Sequence, residues 1–240
     1  MSKSSLSYII RKCYKKKWVL RNFIYTIFFN FRYLPLKQAV LLPIWLYKPS
    51  CCGKGRIVIE SNRVFPGMIE LGSNQVMLYS NSGVRIQLDG TIVFHGRTVI
   101  GNNSALSIGK KGTLDIGDDF RCFSTLRLVC YNKITIGRKC RVGWDCLVTD
   151  TDFHRLKKCG GGYTKGYGEI KIGNYNWIGS KCVVLKKTQT SDYTTIQAGC
   201  CLNKKYDAPP YSILGSNNEI VAKRLGFWLD PDDDVIQYVE

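Results

Sequence analysis

Apolar residues recur along this chain at an interval of six. The clearest run is Ile172, Ile178, Val184, Ile196 and Leu202, interrupted only by Thr190. The same spacing runs through Leu88, Phe94, Ile100 and Leu106, through Ile116, Cys122, Leu128 and Ile134, and in a second phase through Cys130, Ile136, Val142 and Val148. An amphipathic helix would return its apolar face every three to four positions, and a half-buried strand would alternate every two. Strands of a β-sandwich would satisfy a short stretch such as Ile134-Thr135-Ile136, but they would not hold a six-residue phase over several repeats. The period fits a solenoid of triangular cross-section. Each hexapeptide makes one flat side and one corner, three make a coil, and stacked coils pair as parallel strands. Glycine follows the apolar residue at Ile100-Gly101, Ile136-Gly137, Val142-Gly143 and Ile178-Gly179, where a corner needs backbone freedom.

Interruptions of this pattern divide the chain into residues 1–50, a β-helix over 51–205 and a tail over 206–240. Before the repeat, Trp18, Phe23, Tyr25, Phe28, Phe29, Phe31, Tyr33, Trp45 and Tyr47 are mixed with Lys and Arg, broken by Pro35 and Pro43. This predicts short helices. Within the repeat, a glycine-rich loop over 155–169 follows His154 before Ile170 resumes the phase. After it, Ala208-Pro209-Pro210-Tyr211 ends the pattern, a short helix is expected near Glu219 to Arg224, and Asp230, Asp232, Asp233 and Asp234 close the chain acidic.

The formal charge of +17 is unevenly distributed. Lys3, Arg11, Lys12, Lys15, Lys16, Lys17, Arg21, Arg32, Lys37 and Lys48 fall in the first fifty positions, where no Asp or Glu occurs. Such a segment suits helices lying in the interface of an anionic membrane, and it equally suits a cap on the open end of a solenoid. Nucleic acid is set aside because no recognition motif accompanies the charge. The charge-free runs 22–31 and 38–47 are well short of the ~20 residues a spanning helix needs, and no secretory signal pattern precedes them. Eleven scattered cysteines, none at C-x-x-C spacing, read as small free-thiol core residues of a reducing cytosol rather than as disulfides or a zinc site. The expected location is cytoplasmic, with the inner face of the membrane as the surface that a basic terminus would meet.

The hexapeptide run over about 55–223, the stretch Asn30-Phe31-Arg32-Tyr33-Leu34-Pro35-Leu36-Lys37-Gln38-Ala39 with Leu42-Pro43-Ile44, and the turn Thr149-Asp150-Thr151-Asp152-Phe153-His154 together resemble the hexapeptide-repeat acyltransferases. Within that superfamily the chain is similar to bacterial polysaccharide and lipopolysaccharide O-acetyltransferases, and its Asp-x-Asp-x-His turn resembles that of the maltose and galactoside acetyltransferases. The resemblance implies a left-handed parallel β-helix that moves an acetyl group from acetyl-CoA to a sugar hydroxyl. It also implies a homotrimer with the donor bound between solenoids. His154, which takes the place of an apolar residue in the phase of Val142 and Val148, is then the general base. Asp152 would orient its imidazole, hold a sugar hydroxyl or stabilise the turn. Trp177 and Ser180, in the Trp177-Ile178-Gly179-Ser180 stretch, would lie beside the thioester. Ala198, Gly199, Asn203 and Lys204 would contact CoA, with Lys204 and Lys205 near its phosphates. The family commonly ends its repeat with Gly-Asn-Pro-Ala, whereas this chain has Gly215-Ser216-Asn217-Asn218-Glu219, which puts the CoA-end loop in question.

His95, the only other histidine, stands beside Phe94 with no adjacent acid and reads as a structural or surface residue. Two histidines exclude the three-histidine zinc site of the carbonic anhydrases that share this solenoid. An N-acetyltransferase acting on an amino or nucleotide sugar, and a solenoid scaffold without catalysis, remain alternatives.

Overall fold

A computed structural model describes residues 17–74, 76–215, 220–222 and 228–230, and the side chains among these from residue 22 onward. The chain coils into a three-sided solenoid. Three sheets of nine, seven and five strands run along it, and every strand pair except the last is parallel. Coil one consists of Ile44–Leu46, Ser50–Cys52 and Arg56–Ile59 on sides one, two and three. Coil five consists of Arg141–Val142, Leu147–Thr149 and Ile170–Ile172. Coil six carries Trp177–Ile178 and Val183–Leu185, coil seven Thr195–Ile196 and Cys201–Leu202, and coil eight Ile213–Leu214.

The six-residue phase is the inward register of these strands. Ile100, Cys122, Val142 and Ile178 stack on side one, and Leu106, Leu128, Val148, Val184 and Leu202 stack on side two. All are buried. The two phases are the two inward positions of one strand, as in side three of coil four, where Ile134 and Ile136 flank the outward Thr135. Thr190 breaks the series because its hydroxyl works at a corner, accepting from the Gly173 amide at 3.1 Å and donating to the Asn176 side chain at 2.7 Å. Cys122, Cys130, Cys140, Cys146, Cys182 and Cys200 are buried free thiols, small enough for the tight stack. Burial pushes the Cys140 thiol up to about 12 and that of Cys200 to about 11.

Two helices, α1 (Lys17–Tyr33) and α2 (Leu36–Ala39), close the start of the solenoid. Strands therefore begin at Ile44, inside the segment read from sequence as preceding the repeat. An open solenoid end exposes unpaired backbone on its edge strands. Here Asn30 answers it by donating to the Ile44 carbonyl at 2.7 Å and accepting from the Ile44 amide at 3.1 Å, while Thr26 Oγ1 accepts from the Leu46 amide. Tyr33 and Gln38 reach the Gly53 and Ile59 carbonyls toward the other two sides.

The far end differs from expectation. Ile220–Ala222 is a strand paired antiparallel with Ile213–Leu214, not a helix, so the last coil is closed by one reversed strand. The rest of the expected helix, residues 216–219 of the departing loop and the acidic residues beyond Asp230 lie outside the described residues, as do Lys3 to Lys16.

Candidate functional site

The glycine-rich excursion at the corner between sides two and three of coil five is an ordered hairpin. Thr151 pairs with Tyr167 and Lys157 with Tyr163 in antiparallel bridges. Asp152 N donates to Gly166 O at 2.8 Å, and Thr164 N to Leu156 O at 2.8 Å. Gly161 and Gly162 take the left-handed backbone that the tip requires. The chain must cross closely at the base, since a Cβ on Gly166 would stand 2.5 Å from His154 O.

His154 sits on the outgoing arm of this hairpin. Its side chain is exposed and makes no hydrogen bond or ion pair among the described residues. Phe153 beside it has a φ of 59° and packs edge-on against Tyr131 at 4.9 Å, fixing the turn on which the histidine stands. Arg155 lies over Tyr163 and Lys165 over Tyr167, so the arms are dressed with cation–ring pairs.

The two acids of the turn have separate duties. Asp150 is fully buried and accepts from the amides of Tyr131 and Asn132, both at 2.8 Å, so its carboxylate ties coil five to coil four. Asp152 is partly exposed and is ion-paired with Lys186 of coil six. Within one chain it therefore engages Lys186 rather than His154. Asn203 and Lys204 stand exposed at the same corner two coils further on, where Lys204 covers the Tyr206 ring at 5.6 Å.

Trp177, Ser180, Ala198 and Gly199 occupy a different place, on side one and the corner between sides one and two of coils six and seven. Trp177 points outward and is 44% exposed. Ser180 Oγ accepts from the Trp144 amide at 3.1 Å, which leaves its own O–H available to donate. Ala198 and Gly199 are exposed, and nothing lies within 4 Å of the place where a Gly199 Cβ would be. Beneath them the Phe123 and Trp144 rings stack at 4.8 Å, and the Trp144 indole N–H is buried without a partner among the described residues. The sequence reading did not single out Trp144, whose only signal was an aromatic at a corner position one coil before Ser180.

One side of the solenoid separates the two groups. Ser180 and Lys186 end the same side, and six residues of extended chain reach at most ~20 Å. A single chain thus keeps His154, Asp152, Asn203 and Lys204 on one corner and Trp177, Ser180, Ala198 and Gly199 on another.

His95 has the acidic neighbours that its own strand lacks. Its Nε2 is 2.9 Å from Asp115 Oδ1 of the next coil, and its Nδ1 is 3.7 Å from Glu60 of the preceding one. Among the described residues no group of three His, Cys, Asp or Glu is placed to hold a metal.

No family model matches the chain, and no curated protein matches it. Among solved structures it is similar to the polysialic-acid-specific acetyltransferase NeuO, with a TM-score of 0.47 and 16% identity over 79% of this chain and 92% of that one. It is likewise similar to the polysialic acid O-acetyltransferase OatWY, with a TM-score of 0.43 and 18% identity over 73% of this chain and 88% of that one.

Proposed function

We propose that this protein transfers an acetyl group from acetyl-CoA to a hydroxyl of a sugar or surface-polysaccharide precursor, in the cytoplasm, with His154 as general base. The observation that carries the reading is the placement of His154. A histidine is lifted out of a solenoid whose inward positions are almost all apolar and is displayed on an ordered hairpin with both ring nitrogens uncommitted.

The chemistry follows from that placement. A neutral imidazole accepts the acceptor's hydroxyl proton as its oxygen attacks the thioester carbonyl. Negative charge builds on the thioester oxygen, where the free O–H of Ser180 is a suitable donor. Collapse of the tetrahedral intermediate expels the CoA thiolate, which takes the proton back from the imidazolium. Trp177 walls the thioester, Ala198 and Gly199 offer open backbone to the pantetheine arm, and Asn203 with Lys204 meets the phosphate end. Asp152, held by Lys186, lies two residues before the base and would bind a hydroxyl of the acceptor.

The separation of the two corners supports a homotrimer. Side-by-side copies would bring the His154 corner of one against the Ser180 corner of the next, and three such contacts close a ring. The test is His154→Ala. Because the side chain is exposed and has no partner, stability should change by less than ~0.5 kcal/mol. Transfer from acetyl-CoA to a saccharide acceptor should fall by ~10²–10⁴-fold. Near-normal turnover in a folded variant removes His154 from the mechanism, and preferred transfer to an amine makes the protein an N-acetyltransferase.

A further inference from the structure

The capping helix α1 is amphipathic in an unusual sense. The face turned to the solenoid carries Asn22, Thr26, Phe29, Asn30 and Tyr33, spaced as one helical stripe, all buried and three of them polar. Of these, Thr26 and Asn30 serve the edge strand Ile44–Leu46, as described above. The face turned away from the solenoid carries Ile24, Tyr25, Phe28 and Phe31, which are 81%, 62%, 64% and 47% exposed, and Leu36 of α2 extends the patch at 68%. Capping requires the inner stripe only. Nothing in the closure of the solenoid asks for four adjacent large apolar side chains on the outside, and contiguous patches of this kind mark an interaction surface.

The charge around the patch identifies the occupant. Lys37 is exposed beside it, Arg32 is exposed while donating to the Gly53 carbonyl, Lys17 and Arg21 lie in the same helix, and Lys3, Arg11, Lys12, Lys15 and Lys16 precede it, while the first acidic residue of the whole chain is Glu60. A protein partner or a second copy of this chain would meet an apolar patch with mixed charge, and a second basic face would be repelled. A surface combining hydrocarbon with uniform negative charge matches both features. No described helix is long and apolar enough to cross a bilayer, which leaves an in-plane helix.

We propose that the outer face of α1, through Ile24, Tyr25, Phe28 and Phe31, docks the solenoid end-on to an anionic lipid bilayer. The aromatic rings then sit at headgroup depth, and the solenoid axis points away from the membrane. Coils stack at ~4.8 Å, so the His154 hairpin of coil five stands ~20 Å beyond coil one, and the ~10 Å thickness of α1 separates coil one from the surface. The inference does not depend on the chemistry at His154.

The experiment is co-sedimentation of the full chain with phosphatidylglycerol vesicles and with phosphatidylcholine vesicles, across a salt series. It is run beside an Ile24→Glu/Phe28→Glu variant whose fold is checked by circular dichroism and light scattering. The expected result is binding to the anionic vesicles at least tenfold tighter than to the neutral ones, weakening with salt, and at least a tenfold loss in the variant. Should the double variant not fold, the exposed single change Phe28→Ser, with a smaller loss expected, takes its place. Equal binding of wild type and variant, or no binding of wild type at low salt, overturns the proposal. So does a variant that changes oligomeric state, which would place the face between copies of the chain.

Discussion

Replacing Asp150 by alanine should unfold the protein more readily than any change at Asp152, although the two stand on either side of one threonine in the same turn. Asp150 is buried, and its carboxylate accepts from two amides of the coil below at 2.8 Å. Truncation leaves both N–H groups of Tyr131 and Asn132 without an acceptor, at ~1–3 kcal/mol each. Both donors are only partly buried, so water recovers some of this, and the expected cost is about 3 kcal/mol. For a chain of this size that lowers the thermal midpoint by ~6–12 °C. Asp150→Asn keeps one acceptor oxygen and should lose about half as much. Asp152 pairs with Lys186 where both side chains are 42% and 27% exposed, and such pairs contribute ~0–1 kcal/mol. Asp152→Ala should therefore shift the midpoint by at most a few degrees while weakening acceptor use. Thermal unfolding followed by circular dichroism on the two alanine variants decides the matter. Equal shifts, or a larger one at Asp152, would show that the division of labour in this turn is wrong.

Two further outcomes follow from the same geometry. Hydrogen bonds from Thr125 and Tyr79 hold the Asp145 carboxyl below the usual carboxylate range, so its contribution to stability is present above about pH 4 and is lost as pH falls through the lowered folded value. Asp145→Asn should accordingly be less stable than wild type at pH 7, with the gap closing as pH falls through the lowered folded value, and a gap that persists in strong acid would contradict the assignment. If base and donor corners meet only between copies, His154→Ala chains co-refolded with Ala198→Trp chains, each inactive alone, should regain about a quarter of wild-type activity, because a quarter of random contacts pair an intact base with an intact donor corner. No recovery would place both groups in one subunit.

The solenoid was legible because its inward register repeats every six residues, and every apolar position in the four series is buried. The hairpin was legible only as a lapse. Its closing bridges join residues such as Thr151 and Tyr167, whose pairing no local pattern announces. The insertion also hides what stacks on what. Equivalent corner residues are 20 to 22 apart in the early coils and 18 apart in the late ones, but 36 apart across the hairpin. Reading along the chain therefore could not pair Asp152 with Lys186, or Trp144 with Ser180. The same blindness applied to His95, whose acids are one coil away in each direction rather than adjacent. The C-terminal strand was misread as a helix because three residues are too few for a period to register, and their pairing with Ile213–Leu214 is a tertiary fact.

The contrast between the two histidines shows why, under the proposed mechanism, a base would have to leave the coil. Any residue on a flat side has neighbours ~4.8 Å above and below it, contributed by the adjoining coils. An inward position is closed to a titratable group by apolar packing. An outward one acquires whatever polar side chains those neighbours carry, as His95 does from Asp115 and Glu60. An imidazole held in that way has committed Nε2 to the scaffold and has a second carboxylate 3.7 Å from Nδ1, so an incoming hydroxyl would compete with carboxylates to reach it. His154 escapes the stack because the hairpin carries it beyond the corner, while Asp150, at the root of the same turn, stays behind to anchor the departure. Shortening the hairpin would return position 154 to the register and give it neighbours. The insertion thus lets a regular solenoid display an imidazole outside the stack, which is what the proposed role of His154 as base requires.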